Sequence, residues 1–179
     1  MHRHDHFGKF SEERISMAKK AIEDFKDYIS GKVVVDMGSG DGSITKLLSG
    51  YALYVYAVDH DEDLLNILKK NCEGIKNVIP TLTESSHISL NDSFAEVVFS
   101  ANSFHDLPIG YEKEFQRILK KKGYVIIFDW KKVDTPFGPP MDIRLDQIEV
   151  KKRFESLGFS LALEKEYDTH YLLIFKNNK

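Results

Sequence analysis

The sequence predicts an α/β domain, a doubly wound sheet of buried strands with helices on both faces. Three observations carry that expectation. Residues 32–45, KVVVDMGSGDGSIT, read as a strand, a glycine turn and the opening of a helix. The next strand ends in an acid, Asp59, 23 residues after Asp36. Short apolar or β-branched runs then alternate with amphipathic segments along the rest of the chain.

Val33, Val34 and Val35 are too continuous for a half-exposed strand and suit a parallel strand buried on both faces. The run meets Asp36, then Gly38, Gly40 and Gly42 at alternate positions, and residues 43–48 open a helix. Such glycines let the backbone take positive φ and approach a ligand with no Cβ in the way. A dinucleotide fingerprint, G-x-G-x-x-G, needs its third glycine where this chain has Ser43. Asp36 at the strand end is also a poor neighbour for a pyrophosphate. The loop better suits a ligand with a cationic part and no phosphate. Residues 51–58 read as the next strand, and a carboxylate at Asp59 can accept from both hydroxyls of a ribose.

With 179 residues and a net charge of −3, the chain is expected to be one domain, residues 1–179, with no concentrated basic face for nucleic acid. The lysines at 120–122 precede a glycine-led strand and read as a solvated turn. No apolar run approaches the length of a membrane span, and the start carries no secretory pattern. A single cysteine, Cys72, excludes an internal disulfide and fits a reducing, cytoplasmic setting; it reads as inert at a helix end.

Three segments are expected: a flexible terminus or lid at 1–9, a covering helix at 10–29 and the core at 32–176. His2, His4 and His6 would share one face of an extended segment, which leaves open a metal site, a mobile or tag-derived terminus, or a flap. Ser11 can cap a helix to about residue 28, with Ile15, Ala18, Ile22, Phe25 and Ile29 as its apolar face. Asp61 can cap a helix to about residue 71, and 77–81 is a third strand shortened by Pro80. Residues 94–101 form a fourth strand that leads into Asn102-Ser103-Phe104-His105-Asp106, where ligand chemistry is expected at a strand's carboxyl end. His105 has two readings, a group acting on the substrate or a histidine bonding its own loop. Residues 112–120 form a helix and 124–130 a fifth strand. The proline-rich 131–141 is a loop over the pocket, 144–157 a helix stopped by Gly158, and 159–167 with 170–175 a final hairpin.

D-M-G-S-G-D-G followed by A-V-D-H-D resembles the first two motifs of the class I S-adenosylmethionine-dependent methyltransferases, and the likeness extends over about residues 32–175. R-I-L-K-K-K-G-Y-V-I-I-F-D-W resembles the family's helix–turn–strand signature. The order D-W-K, G-P-P, R-L, G-F is similar to its small-molecule, quinone-biosynthesis-like type 11 branch. The resemblance implies a Rossmann-like seven-stranded sheet, mostly parallel with an antiparallel last strand. S-adenosylmethionine would be the cofactor, S-adenosylhomocysteine its product and a small molecule the acceptor. It implies that Gly38, Ser39, Gly40 and Gly42 wrap the methionine end, that Asp36 organises it, and that Asp59 with His60 takes the ribose. Thr83, with Glu84 beside it, stands in the adenine slot, and Asn102 and His105 form the polar cluster. His105 would be the general base for a hydroxyl or amine acceptor; an enolate carbon or thiolate needs none. No metal is implied. Trp130, Phe104 and Phe137 either line an aromatic acceptor pocket or pack. Two rivals stand beside this reading: a cofactor-binding regulatory module without catalysis, and a nicotinamide-dependent oxidoreductase.

Overall fold

The computed structural model describes the backbone of residues 3–84 and 86–179, and side chains from Glu12 onward apart from residue 85. Seven strands make one sheet: β1 (Val33–Met37), β2 (Tyr54–Asp59), β3 (Val78–Leu82), β4 (Ala95–Ala101), β5 (Leu119–Trp130), β6 (Phe159–Glu166) and β7 (His170–Asn177). Their order is β3-β2-β1-β4-β5-β7-β6. β1 to β5 pair in parallel, and β7 runs antiparallel to both β5 and β6. The helices are α1 (Arg3–Ile29), α2 (Ser43–Leu48), α3 (Glu62–Asn71), α4 (Glu112–Ile118) and α5 (Gln147–Ser156). This is the expected fold, with the strand order reversing between β1 and β4, where a doubly wound sheet opens its ligand crevice.

Alternation along each strand builds the two layers. Val34, Val55, Val97, Phe99, Ile126 and Phe128 pack with Ala18, Ile22 and Phe25 of α1 and Leu48 of α2. Val35, Val98, Val125, Ile127 and Phe175 turn to the other face, against Phe115 of α4 and Val150 and Phe154 of α5. Pro80 pairs opposite Ala57, which β3 tolerates because it is an edge of the sheet. Asp61 caps α3 as expected, accepting from the N–H groups of Asp63 and Leu64 at 2.9 and 3.1 Å. Cys72 is buried, and burial pushes its thiol above the ordinary range, which keeps it inert.

Four expectations change. α1 begins at Arg3, so Ser11 lies inside the helix and caps nothing. The backbone of His4 and His6 falls in this helix rather than in an extended segment. His2 and the side chains of His4 and His6 lie outside the described residues. β5 begins at Leu119, so the lysines at 120–122 are strand, accommodated by a register shift opposite Ala95 and a left-handed Lys122 (φ 61°). α5 begins only at Gln147, because Asp146 caps it by accepting from the Ile148 N–H at 2.7 Å. That leaves Arg144 in the preceding loop, buried, where its guanidinium donates to the carbonyls of Pro139, Lys131 and Val133 and to the Thr135 hydroxyl at 2.7–3.1 Å. The same guanidinium lies 5.3 Å over the Trp130 ring. One cation thus ties the strap 131–141 to the end of β5.

Gly42 is fixed by packing. Its φ is +80°, and a Cβ there would stand 2.6 Å from Leu68 Cγ in α3. Gly42→Ala is expected to destabilise the fold by about 2–3 kcal/mol through strain and overpacking, read as a lower urea midpoint at unchanged slope.

Candidate active site

The loop after β1 is held from two sides. Asp59, ending β2, accepts the Gly40 N–H at 2.8 Å through one carboxylate oxygen and the Asp61 N–H at 3.0 Å through the other. From the β4 side, the Ser103 hydroxyl donates to the Met37 carbonyl at 2.9 Å and lies 2.8 Å from Ser100 Oγ. Gly38 makes that approach possible, since a Cβ on it would stand 2.5 Å from Ser103. A Cβ on Gly40 would meet nothing within 4 Å. The three glycines therefore have three reasons: Gly38 admits the β4 loop, Gly40 leaves open space, and Gly42 admits α3.

The open space is a cavity of about 540 Å³ above the crevice, lined by Asp36, the stretch from Met37 to Asp41, Asp59 and His60, and by Asn102, Ser103, Asp106 and Leu107 of the β4 loop. Arg14 of α1, Ile44, Leu64 and Ala101 complete it. Ser39 Oγ, Asn102 Nδ2 and Arg14 Nε are buried there without a protein partner. Asp36 is 2% exposed and accepts the Thr45 hydroxyl at 2.6 Å. Burial pushes its carboxyl up to about 7, opposed by the Thr45 bond and aided by the nearby charge of Asp59. Acids, an open glycine cradle and unpaired polar atoms suit a cationic nucleoside ligand, and S-adenosylmethionine fits that donor set. Asp36, Asp59 and the Gly38–Gly40 backbone are the groups that would hold it.

Asp36, Gly38, Ser39, Gly40, Asp59, His60 and Asn102 all line this cavity, whereas Gly42, Thr83, Glu84 and His105 do not. Thr83 is occupied in its own turn, donating to the His87 carbonyl at 2.6 Å and accepting from the Ser89 N–H at 3.0 Å. Glu84 is exposed and bridges to His87. The His105 side chain is only 4% exposed, with Nδ1 at 2.9 Å from Asp129 Oδ1 and Nε2 at 3.4 Å from Asp106. Burial opposes its charging, but the bond to Asp129 and the charges of Asp129 and Asp106 prevail and hold it above the ordinary histidine value. Its backbone N–H also donates to Asp129 at 3.0 Å. The imidazole thus bonds its own loop to β5 and faces neither cavity. Arg14, Asp41, Leu64, Ser103 and Asp106 were not singled out by sequence reasoning; Asp41 carried a signal through the glycine motif, and Ser103 and Asp106 through their place in the polar cluster after β4.

A second cavity of about 380 Å³ lies beside the first, lined by Glu13, Arg14, Ser16, Met17 and Lys20 of α1 and by Trp130, Phe137, Asp168, Thr169 and His170. His170 Nε2 donates to Asn102 Oδ1 at 2.7 Å, and the Thr169 hydroxyl lies 2.8 Å from Nδ1. Burial, with the charge of Arg144, pushes this histidine down to about 3 and keeps it neutral. Phe104 lies in the core, stacked on Phe154, and lines neither cavity.

A doubly wound sheet ending in a glycine cradle and two strand-end acids is the frame of a nucleoside-cofactor enzyme. A family model for a methyltransferase domain of type 11 matches residues 35–127, and the chain belongs to that family. The structure is similar to a SAM-dependent methyltransferase from Aquifex aeolicus, with a TM-score of 0.82, 28% identity, and 89% and 88% of the two chains covered. It is also similar to a Sulfolobus solfataricus protein assigned as a type 11 methyltransferase, with 33% identity, a TM-score of 0.69, and 82% and 84% covered. Among curated proteins it is 23% identical over 152 residues to one from Methanococcus maripaludis named as a probable cobalt-precorrin-6B C(15)-methyltransferase (decarboxylating), covering 81% of this chain and 76% of that one. This chain is an S-adenosylmethionine-dependent methyltransferase.

Asp36 sets a pH dependence. Its folded value, about 7, lies above the ordinary carboxyl value. Its contribution to stability is therefore complete below about pH 4 and is lost as pH rises through about 7, an effect of about 4 kcal/mol. His105, also raised, loses its contribution in the same direction as pH climbs past the ordinary histidine value. Asp36→Asn is expected to flatten the lower part of the unfolding free energy measured from pH 4 to 8 in the ligand-free protein, and to leave the upper part.

Proposed function

We propose that the chain methylates a small molecule, with the donor in the first cavity and the acceptor in the second. The observation that carries this is their contact: one hydrogen bond, Asn102 to His170 at 2.7 Å, separates the two walls, and Arg14 lines both. Methyl transfer is an in-line displacement at a sulfonium carbon, so holding donor and acceptor side by side supplies most of the catalysis. Trp130, Phe137 and the neutral His170 give the second cavity aromatic walls suited to a planar acceptor. An aromatic cavity of this size favours a small molecule over a protein or nucleic-acid chain.

Among the described residues the second cavity holds one histidine, His170, so the acceptor is one whose nucleophile needs no histidine base. His105 faces neither cavity, and both ring nitrogens of His170 are engaged. An activated carbon or a thiolate meets that condition, and the Methanococcus maripaludis relative is itself named for methylating a carbon. His105 acts by holding the Asn102–Leu107 loop against Asp129. Among the described residues, no helix is long and apolar enough to cross a membrane.

Two experiments test this reading. Gly40→Ala puts a methyl into the open cradle, and S-adenosylhomocysteine affinity by calorimetry is expected to fall at least about tenfold, with a native circular dichroism spectrum; unchanged affinity would return the loop to a purely structural role. With methyl-labelled S-adenosylmethionine and a metabolite extract, label is expected in the small-molecule fraction, at rates that His105→Gln changes by less than about threefold. A drop of about 10²–10⁴ would restore His105 as general base.

A further inference from the structure

We infer that the Asn102 amide, aimed by Thr169 and His170, holds an oxygen of the acceptor, and that the methyl goes to the carbon conjugated with that oxygen. This role rests on the two-cavity reading, because Asn102 lines the first cavity and its partner His170 the second. His170 is neutral, so its ring carries a single N–H. The Thr169 hydroxyl, 2.8 Å from Nδ1, donates there and leaves the N–H on Nε2, 2.7 Å from Asn102 Oδ1. Phe128, stacked at 4.7 Å, and Trp130, at 4.1 Å, fix the plane of the ring. The Asn102 backbone is fixed as well, left-handed at φ 56° with its N–H donating to the Phe128 carbonyl at 2.9 Å. With Oδ1 committed to His170, the orientation of the amide is set. Its Nδ2 is buried and has no partner among the described residues. A buried donor left unmet is costly, so this one calls for a ligand atom that accepts.

An amide N–H only donates, which narrows what it can hold. On a thiolate it would tie up the electron pair that must attack. On the oxygen of an enolate it leaves the attacking carbon free and favours the ionised form. That suits a cavity with no histidine available as a base. The acceptor is therefore a planar conjugated enol, acidic enough to enter ionised. Its carbon's electron pair forms the new bond to the methyl group. The methyl–sulfur bond breaks, and its pair stays on sulfur to give S-adenosylhomocysteine. The oxygen's negative charge collapses into a carbonyl, and a hydrogen on that carbon leaves to solvent afterwards. Positioning by Asn102 brings carbon and methyl into line. A planar anion fits the aromatic walls, and the acids Glu13 and Asp168 of that cavity are offset there by Arg14 and Lys20.

The test compares wild type with Asn102→Asp, Asn102→Gly and His170→Phe, using methyl-labelled S-adenosylmethionine and a metabolite extract. Aspartate and glycine both accept a left-handed backbone. The first keeps an oxygen for His170 and loses the N–H; the second loses both without adding charge. Phenylalanine keeps the stack on Phe128 and loses the bond that aims Asn102. Nuclear magnetic resonance of the wild-type product is expected to place the labelled methyl on carbon. At pH 7 all three variants are expected to label at least about tenfold more slowly, with S-adenosylhomocysteine affinity by calorimetry changed less than about threefold. Their rates are expected to recover toward wild type as pH rises to about 9, where the acceptor ionises unaided. Four results each overturn the assignment alone: a methyl on sulfur, nitrogen or oxygen, cofactor affinity lost in step with the rate, a deficit that pH leaves unchanged, or variants that label like wild type. A wild type that labels no small molecule removes the two-cavity reading and the assignment with it.

Discussion

Everything at the functional end of this molecule depends on a loop of left-handed glycines being held rigid between two neighbouring strands. The loop after β1 has few side chains with which to hold itself. Asp59 fixes it from β2 through the Gly40 N–H, and Ser103 fixes it from the β4 side through the Met37 carbonyl. These two bonds converge where the strand order reverses, so the cradle sits over the crevice of the sheet. A hydrogen bond from a backbone N–H to a charged carboxylate is among the stronger neutral–ion contacts, which is why one acid can both order the loop and remain at the cavity wall.

The same economy recurs around the second cavity. Arg144 spends its donors on four oxygens of the strap and covers the Trp130 ring. Gly138 lies against the same ring, where a Cβ would stand 2.9 Å from it. The strap therefore has a fixed shape without belonging to a helix or strand. His170 is clamped between Phe128, stacked at 4.7 Å, and Trp130 at 4.1 Å, and in turn fixes Asn102 in the donor cavity. Acceptor wall and donor wall are parts of one packed unit.

Histidine chemistry illustrates why residue type alone misleads. His105 follows the fourth strand, where either a general base or a histidine bonding its own loop is expected, and its ring turns back to Asp129 with the side chain 4% exposed. Nothing in N-S-F-H-D reveals this, because the deciding partner lies 24 residues away on β5. His170, unremarkable in the sequence at the head of a strand, proves to line a cavity, held neutral by burial. Arg14 is similarly hidden: in the sequence it is one charged residue on an amphipathic helix, and only the packing of α1 carries it to the cavity.

What the sequence determined by itself is local. The valine run, the alternate glycines, the acids at 36 and 59, and the cap at Asp61 each specify a short piece of backbone through sterics and neighbouring hydrogen bonds, and those pieces are where they were expected. The separate duties of Gly38, Gly40 and Gly42 were not legible, because they depend on Ser103, empty space and Leu68, none of which is near in the chain. The strap around Arg144, the inward turn of His105, the pairing of two cavities and the charge that Arg14 brings to them were decided by tertiary structure alone. Each is a contact between residues far apart in sequence, and its geometry exists only once the sheet has set the distance between strand ends.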